Sequence, residues 1–399
     1  MILGVPADSP QRYQIRCDTG LHRVALGAGR YWRPAKCPAC RARIDRRRIR
    51  RARQWLLGNA PRSTIRFGPK LRIVPVESLA LLFLALMLAG TMMLYTVADA
   101  WWPATVLLFL GRWPWLLPGI PVLLLALILW HRRALIITVT AGFVALFGIL
   151  QFSPGFGRLF AHADTSSHVR VITYNIGGTL TAPISLVSMV TDWQPDIFAV
   201  QECDESSVEL LRGMRNYSHD VGVTCLFTKF EIVRIDSLRR DAFDNADGAA
   251  WVKRYRLRGP DGEFDFTNLH LDTPRKGFEA MMDGQENATG AIARKTEIRE
   301  LESRLARRWV DVGPGPSLVA GDFNMPSESA IYRRHWGSMR NGFSRAGVGF
   351  GYSRRAGWIH LRIDHVLADD DWLVQSARLL PDYGSDHRPM MVDVALQAK

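Results

Sequence analysis

Acidic residues are nearly missing from the first part of this chain of 399 residues: positions 1–159 hold 5 Asp and Glu against 22 Lys and Arg. Positions 160–399 hold 33 against 29, so the formal net charge of +13 belongs entirely to the N-terminal part. A C-terminal part without a net basic balance lacks the bulk phosphate-backbone attraction that defines a general nucleic-acid-binding module, although a local basic patch stays open. Cysteine is also scarce. Cys17, Cys37, Cys40, Cys203 and Cys225 are too few for the disulfide framework of a secreted scaffold, and Cys203 reads as a free thiol without a role. There is no internal repeat. No apolar run lies close enough to the N-terminus to act as a signal peptide.

Most of what the first part does contain is arginine and long apolar runs. Residues 1–72 form a basic N-terminal segment, in which Cys37-Pro-Ala-Cys40 supplies two thiolates at the spacing a tetrahedral zinc ion needs. Cys17 and His22 are the candidate partners in a degenerate structural Zn²⁺ knuckle; reduced thiols in a loosely ordered segment are the plainer reading. Eight arginines between Arg41 and Arg53 suit the anionic lipid surface beside a membrane span.

Residues 73–152 read as a membrane region with about three transmembrane helices. Ser78 to Val97 is uncharged and long enough to cross a hydrocarbon core; Trp113 to Trp130 and Ala134 to Phe152 are the second and third spans. Residues 101–111 are too short and read as an interfacial or re-entrant piece. The arginine-rich flank puts the N-terminus inside, and three crossings put everything after Phe152 outside. The expectation is a multi-pass protein of the plasma (inner) membrane with an extracytoplasmic domain. Residues 153–167 read as a linker, and 168–399 as a domain of alternating strands and helices.

Within that domain, Leu318-Val-Ala-Gly-Asp-Phe-Asn-Met-Pro326 is an apolar strand that stops on polar groups. Alternation at a strand end puts Asp322 and Asn324 on one face, a carboxylate beside a neutral amide. Taken alone, this is as well explained by an Asx turn. Yet other strand-like runs also end on polar side chains: Asn175, Glu202, His270, Asp364 and the Ser385-Asp386-His387 triplet. A packed domain has little other reason to collect carboxylates, amides and imidazoles at one kind of position.

In order, Tyr174-Asn175, Gln201-Glu202, His270, Gly321-Asp-Phe-Asn324, Ile363-Asp-His-Val366 and Gly384-Ser-Asp-His387 closely resemble the motifs of the endonuclease/exonuclease/phosphatase family. That family comprises metal-dependent phosphoesterases, among them DNase I-like nucleases, inositol polyphosphate phosphatases and neutral sphingomyelinases. The resemblance covers about 168–397 and implies an α/β four-layer sandwich, two packed β-sheets flanked by helices. Gly177 stands where some members carry a further carboxylate or amide.

The resemblance implies a Mg²⁺ (or Mn²⁺) site. Glu202 is the principal ligand expected, because hard cations prefer carboxylate oxygen, with Asn175 and Asp386 completing or orienting it. His387 and Asp364 resemble the family's paired imidazole and carboxylate facing the scissile phosphate. Asp322 would align the attacking water, Asn324 would donate to a phosphoryl oxygen, and His270 resembles the residue assisting the leaving group. The substrate would be a phosphoester, either nucleic acid or phospholipid or inositol phosphate, with membrane lipid as a partner. A catalytically inactive membrane-tethered binding or sensing domain is the alternative, weakened by the presence of all four carboxylates. An odd number of spans predicts that a reporter fused after Lys399 and functional only outside the cytoplasm will be active. A cytoplasmic signal would mean an even number, with residues 101–111 as the extra crossing.

Overall fold

The computed structural model describes residues 12–17, 20–25, 74–159 and 168–397, and the chain divides into two compact units, 1–73 and 74–399. In the first, β1 (Arg12–Cys17) and β2 (Gly20–Ala25) form an antiparallel hairpin. Cys17 and His22 lie on these strands, Cys37 and Cys40 lie outside the described residues, and so the zinc reading has no described site.

The second unit begins with helices. α1 (Val74–Thr96) is followed by short α2 (Trp102–Phe109), a 3₁₀ turn at Trp113–Leu116, α3 (Gly119–Ile128), and α4 (Arg132–Val144), which continues as a π turn over Ala145–Ile149. Pro75–Thr96 and Arg132–Ile149 are each long and apolar enough to cross a membrane. The stretch read as a second span begins with the 3₁₀ turn and keeps only Gly119–Ile128 as α-helix. Trp102–Phe109 and Trp113–Ile128 together would pass the same test, but they meet at a bend of 96°, which sets Trp102–Phe109, within the piece read as interfacial or re-entrant, apart from the second stretch. Pro114, Pro118 and Pro121 account for the irregular start, since each removes a backbone donor from the helical ladder.

Packing orders these helices up, down and up. Near the start of α1, Val76 and Ala80 cluster with Val122, Ala126 and Ala134. Near its end, Gly90 lies against Trp115 and Thr91 against Gly148. The outward faces carry exposed Leu82, Leu86, Met92, Leu124, Ile136 and Phe143, a surface suited to lipid.

The rest of the unit is a four-layer sandwich. The first sheet contains β3 (Val169–Asn175), β4 (Ile197–Gln201), β5 (Ser218–Asp220), β6 (Thr224–Thr228), β15 (Trp372–Leu379) and β16 (Met390–Leu396), in the order β15-β16-β3-β4-β6-β5. The second contains β7 (Glu231–Ser237), β8 (Trp251–Gly259), β9 (Gly262–His270), β10 (Ser317–Asp322), β11 (Arg340–Asn341) and β14 (Asp364–Ala368), in the order β11-β14-β10-β9-β8-β7. Between them a hairpin, β12 (Arg354–Ala356) and β13 (Ile359–Leu361), stands apart as its own small sheet. Each large sheet has a parallel pair at its centre, β3 with β4 and β9 with β10.

Strands packed between the sheets bury one face into a shared core of Val171, Ala199, Tyr255, Phe266, Leu318, Val366 and Val392. The other face of the first sheet is covered by α5 (Pro183–Trp193) and α6 (Glu205–Arg212), through Leu186, Met189, Val208 and Leu211. On the far face of the second sheet lie α7 (Arg275–Met282) and α8 (Ala288–Asp311). The sequence reading overlooked β7, β8 and β15. Of these, β7 is an exposed edge strand and β8 interleaves Lys253, Arg254, Arg256 and Arg258 with its inward residues, so neither forms a continuous apolar run.

The layer outside the second sheet does not end with α8. Leu269, Val319, Phe323, Met325, Trp336 and Leu367 form one apolar cluster with Met87, Leu94, Ala98, Leu108, Phe109 and Ile149 of the helical region. Charge crosses the same boundary: Arg112 pairs with Glu328, and Asp99 accepts from Ser329 Oγ at 2.7 Å and lies 3.8 Å from the fully buried Arg299. Removing one partner of a buried pair costs about 3–5 kcal/mol, a large share of the roughly 5–15 kcal/mol that holds a typical domain folded. A fragment beginning at residue 160 is therefore expected to melt well below one beginning at residue 74 and to bind a hydrophobic dye. Equal melting temperatures with no dye binding would mean that the helices only tether.

Candidate active site

Strand register assembles the centre of the site. His270 on β9 is the direct partner of Asp322 on β10, and Asp322 is the direct partner of Asp364 on β14. Three polar residues far apart in sequence thus become neighbours at one edge of the second sheet. In the first sheet Asn175 pairs with Gln201, one residue before Glu202. Gly321 permits this crowding. It has φ of +149°, and a Cβ there would lie 1.9 Å from the carbonyl oxygen of Leu269.

Asp322 is where the two sheets meet chemically. Its Oδ2 accepts from Asn175 Nδ2 at 3.0 Å and lies 3.7 Å from His270 Nε2 and 3.8 Å from His387 Nε2. Its Oδ1 accepts from the Asn324 backbone N–H at 2.8 Å. Burial, and next the negative Asp364, push its carboxyl above the usual range against the opposing pull of His387 and His270. Asn175 donates to Glu202 as well, Nδ2 to Oε1 at 3.0 Å, so one neutral amide stands between two carboxylates. Its own Oδ1 accepts from Gly177 N–H at 3.0 Å, which fixes which way the amide faces.

His387 Nδ1 is 2.8 Å from Asp364 Oδ2. Burial alone would lower the imidazole pKa, but Asp364 and then Asp322 outweigh it and raise it to about 9. Asp364 is fully buried; burial works to raise its pKa, and the charge and hydrogen bond of His387 and a hydrogen bond from Ser353 hold it below the ordinary value. Two serines that the sequence reading did not single out brace this pair. Ser353 Oγ accepts from Asp364 N–H at 3.1 Å, while Ser385 Oγ accepts from His387 N–H at 3.1 Å and donates to the Asn175 carbonyl at 2.9 Å. Ser385 was visible within the Ser-Asp-His triplet, whereas nothing in the sequence marks Ser353.

Three expected positions differ in detail. Asn324 does not share a face with Asp322, because β10 stops at Asp322 and Asn324 takes a left-handed φ of 50°. One N–H of its amide goes to the Leu271 carbonyl at 2.8 Å. Asp386 turns toward Arg354, which donates to it from Nε at 3.3 Å and from a terminal nitrogen at 3.2 Å. Cys203 is not a free thiol: it is disulfide-bonded to Cys225. The pairing of Val200 with Cys225 across β4 and β6 brings the segment just past β4 against Cys225, a proximity invisible in two cysteines 22 positions apart. The bond adjoins Glu202, which has a left-handed φ of 49° and is about half exposed, 47% for its side chain.

The donor set suits a hard divalent cation. Glu202, Asp322, Asp364 and Asp386 offer carboxylate oxygens, and ligand atoms of Asp322, Asp364 and His387 lie within 4.8 Å of one another. Asp364 Oδ1 is buried with no hydrogen-bond partner among the described residues, an acceptor left open within that cluster.

A two-sheet sandwich with carboxylates, amides and imidazoles gathered at its strand ends has the makings of a hydrolase acting on an anionic ester. Residues 172–387 match the model described as "Endonuclease/Exonuclease/phosphatase family", and the chain belongs to that family, whose members hydrolyse phosphoesters. No curated protein matches the chain significantly. Among solved structures it is similar to humanized D. rerio TDP2 at 15% identity, covering 57% of this chain and 99% of that one, with a TM-score of 0.46. It is also similar to a mannosyl-6-phosphatase of Bacteroides thetaiotaomicron at 18% identity, covering 57% and 100%, with a TM-score of 0.42. The human Nocturnin catalytic domain is similar at 18% identity, covering 58% and 95%, with a TM-score of 0.43. Likenesses this distant say nothing about substrate.

The His387–Asp364 contact predicts strong non-additivity. Asp364→Asn and His387→Ala should each lower turnover by about 100-fold or more, and the double variant should be little worse than the worse single. Penalties that multiply in folded proteins would show that the two act separately.

Proposed function

We propose that this protein is a membrane-anchored, divalent-metal-dependent phosphodiesterase. The observation that carries the reading is the position of Asp322, in contact with Asn175 and within 4 Å of both imidazoles, where an incoming phosphate would meet all three. Glu202 would be the principal ligand of a Mg²⁺ or Mn²⁺ ion, with Asn175 and Asp386 completing or orienting that site. When bound, the ion would neutralise charge on the phosphoryl oxygens. Asp322, with its raised pKa, is suited to accept a proton from a water held in line with the leaving group. His387, kept charged at neutral pH by Asp364, would donate to a non-bridging oxygen, and His270 would protonate the leaving oxygen. Asn324 would add its second amide hydrogen to the phosphoryl group.

Three observations support a domain outside the cytoplasm: the arginine-rich flank before α1, the up-down-up order of the helices, and a disulfide of the kind that persists in oxidising compartments. A lipid substrate is favoured over nucleic acid by where the site opens. Arg354, bonded to Asp386, begins the β12–β13 hairpin, and Trp358 at its tip packs on Gly111, so closely that a Cβ there would be 2.6 Å from the ring. On a second side Phe278 of α7 meets Phe109 of α2, ring centroids 5.5 Å apart. Exposed Trp101, Trp102 and Trp113 flank this corner, as tryptophans do at a bilayer surface. The catalytic mouth would thus sit at headgroup level, where a lipid phosphodiester is presented and a long polyanion meets both the membrane and a domain of net negative charge.

Chelation with EDTA should abolish hydrolysis by the full chain in nanodiscs, and Glu202→Gln should lower it by about 100-fold or more; activity that resists EDTA refutes the metal assignment. Phospholipid diesters should be turned over faster than single-stranded DNA, and the reverse order would make the protein a nuclease.

A further inference from the structure

The loop that follows Asp322 is clamped at both ends, and one clamp comes from the membrane region. At its start, Phe323 N–H donates to the Ile363 carbonyl at 3.0 Å, and Asn324 is tied to Asp322 and Leu271. In the middle, the Met325 carbonyl lies 3.0 Å from His365 Nε2. Its far end reaches Glu328, 1% exposed, which pairs with Arg112, 3% exposed. Arg112 also donates to the Leu108 carbonyl at 3.1 Å and the Ile149 carbonyl at 3.1 Å, so it joins the last turn of α2, the end of the third helical leg and the catalytic loop. Next to it, Asp99 accepts from Ser329 Oγ at 2.7 Å and from the Ile331 N–H at 3.3 Å, fixing the start of the helix at Ala330–His335.

We infer that Arg112, through Glu328, is a positioning residue for Asp322 and Asn324, so that the membrane segment completes the active site as well as anchoring it. The inference rests on the phosphoesterase reading for its catalytic meaning, and on the loop alone for its structural one. Asn324 sits in a left-handed conformation, which asparagine adopts more readily than other side chains and which its bonds to Asp322 and Leu271 hold here. Three residues separate it from Glu328, too short a tether to absorb a displaced end without moving the amide and the carboxylate beside it. A buried arginine demands a counter-charge, and a buried glutamate likewise, so each holds the other in place. No other pair among those crossing the boundary bears so directly on the catalytic strand end.

The test uses the full chain in nanodiscs, with Arg112→Gln, Glu328→Gln and the double variant Arg112→Met/Glu328→Met. Turnover is read on a water-soluble aryl phosphodiester, which needs no membrane presentation, and amide hydrogen exchange is read over Phe323–Ser329. Each single should lower kcat at least tenfold with KM within twofold, per folded molecule, and should speed exchange in that loop but not in β3 or β4. The double variant, which leaves no unpaired charge, should regain at least a third of the wild-type kcat and of the loop protection. Singles with wild-type kcat and exchange, losses confined to KM, or a double variant as impaired as the worse single would each overturn the inference. If the wild type hydrolyses no phosphodiester, the phosphoesterase reading fails with it, and unchanged or faster loop exchange in the singles still decides the structural claim against or for the clamp.

Discussion

The structure depends on one buried carboxylate at the seam between two sheets. Asp322 belongs by its backbone to the second sheet, and by its hydrogen bond to Asn175 it holds the end of the first. A buried carboxylate must be satisfied, and this one is answered by an amide, a backbone N–H and two imidazoles at longer range. Two of those partners are held in turn: Asn175 by Gly177 and Ser385, and His387 by Asp364, itself braced by Ser353. Asp364 Oδ1 is the acceptor left open within this buried set, and the site reaches solvent at Glu202.

Behind this front row lies a second bridge between the sheets. Gln201 donates from Nε2 to Asn268 Oδ1 at 2.8 Å, and Asn268 donates in turn to the carbonyls of Val200 and Cys225. These buried amides fix how far the first sheet's strand ends stand from the second's. The spacing of Glu202 from Asp322 therefore follows from these hydrogen-bonded amides, with the Cys203–Cys225 bond steadying the left-handed residue beside it.

The apolar layer shared by the second sheet and the N-terminal helices makes those helices part of the fold. A tether would need only a linker, and residues 153–167 read as one. The chain instead puts Phe109 and Met87 into the same cluster as Phe323 and Met325, and pairs Arg112 with Glu328 and Asp99 with Ser329, so the candidate-site end of the sandwich rests on the helices.

By itself the sequence determined the chemistry and the class of fold. Asn175, Glu202, His270 and Asp322 are legible because apolar runs of strand length stop on or just before them, and Asp364 and His387 because such runs start on or soon after them; a one-dimensional pattern records both. The apolar runs likewise marked the helical region before the domain. What the sequence left undetermined is what depends on register and on which surfaces meet. Strand pairing alone made His270, Asp322 and Asp364 neighbours and brought Cys203 to Cys225; a left-handed turn took Asn324 off the face that alternation assigned it; a 3₁₀ turn at Trp113–Leu116 left the expected second span with only Gly119–Ile128 as α-helix. The partnership of Arg112 with Glu328 belongs to the same group, since a buried ion pair between residues 216 positions apart leaves no local trace and exists only once two separately readable segments are packed together.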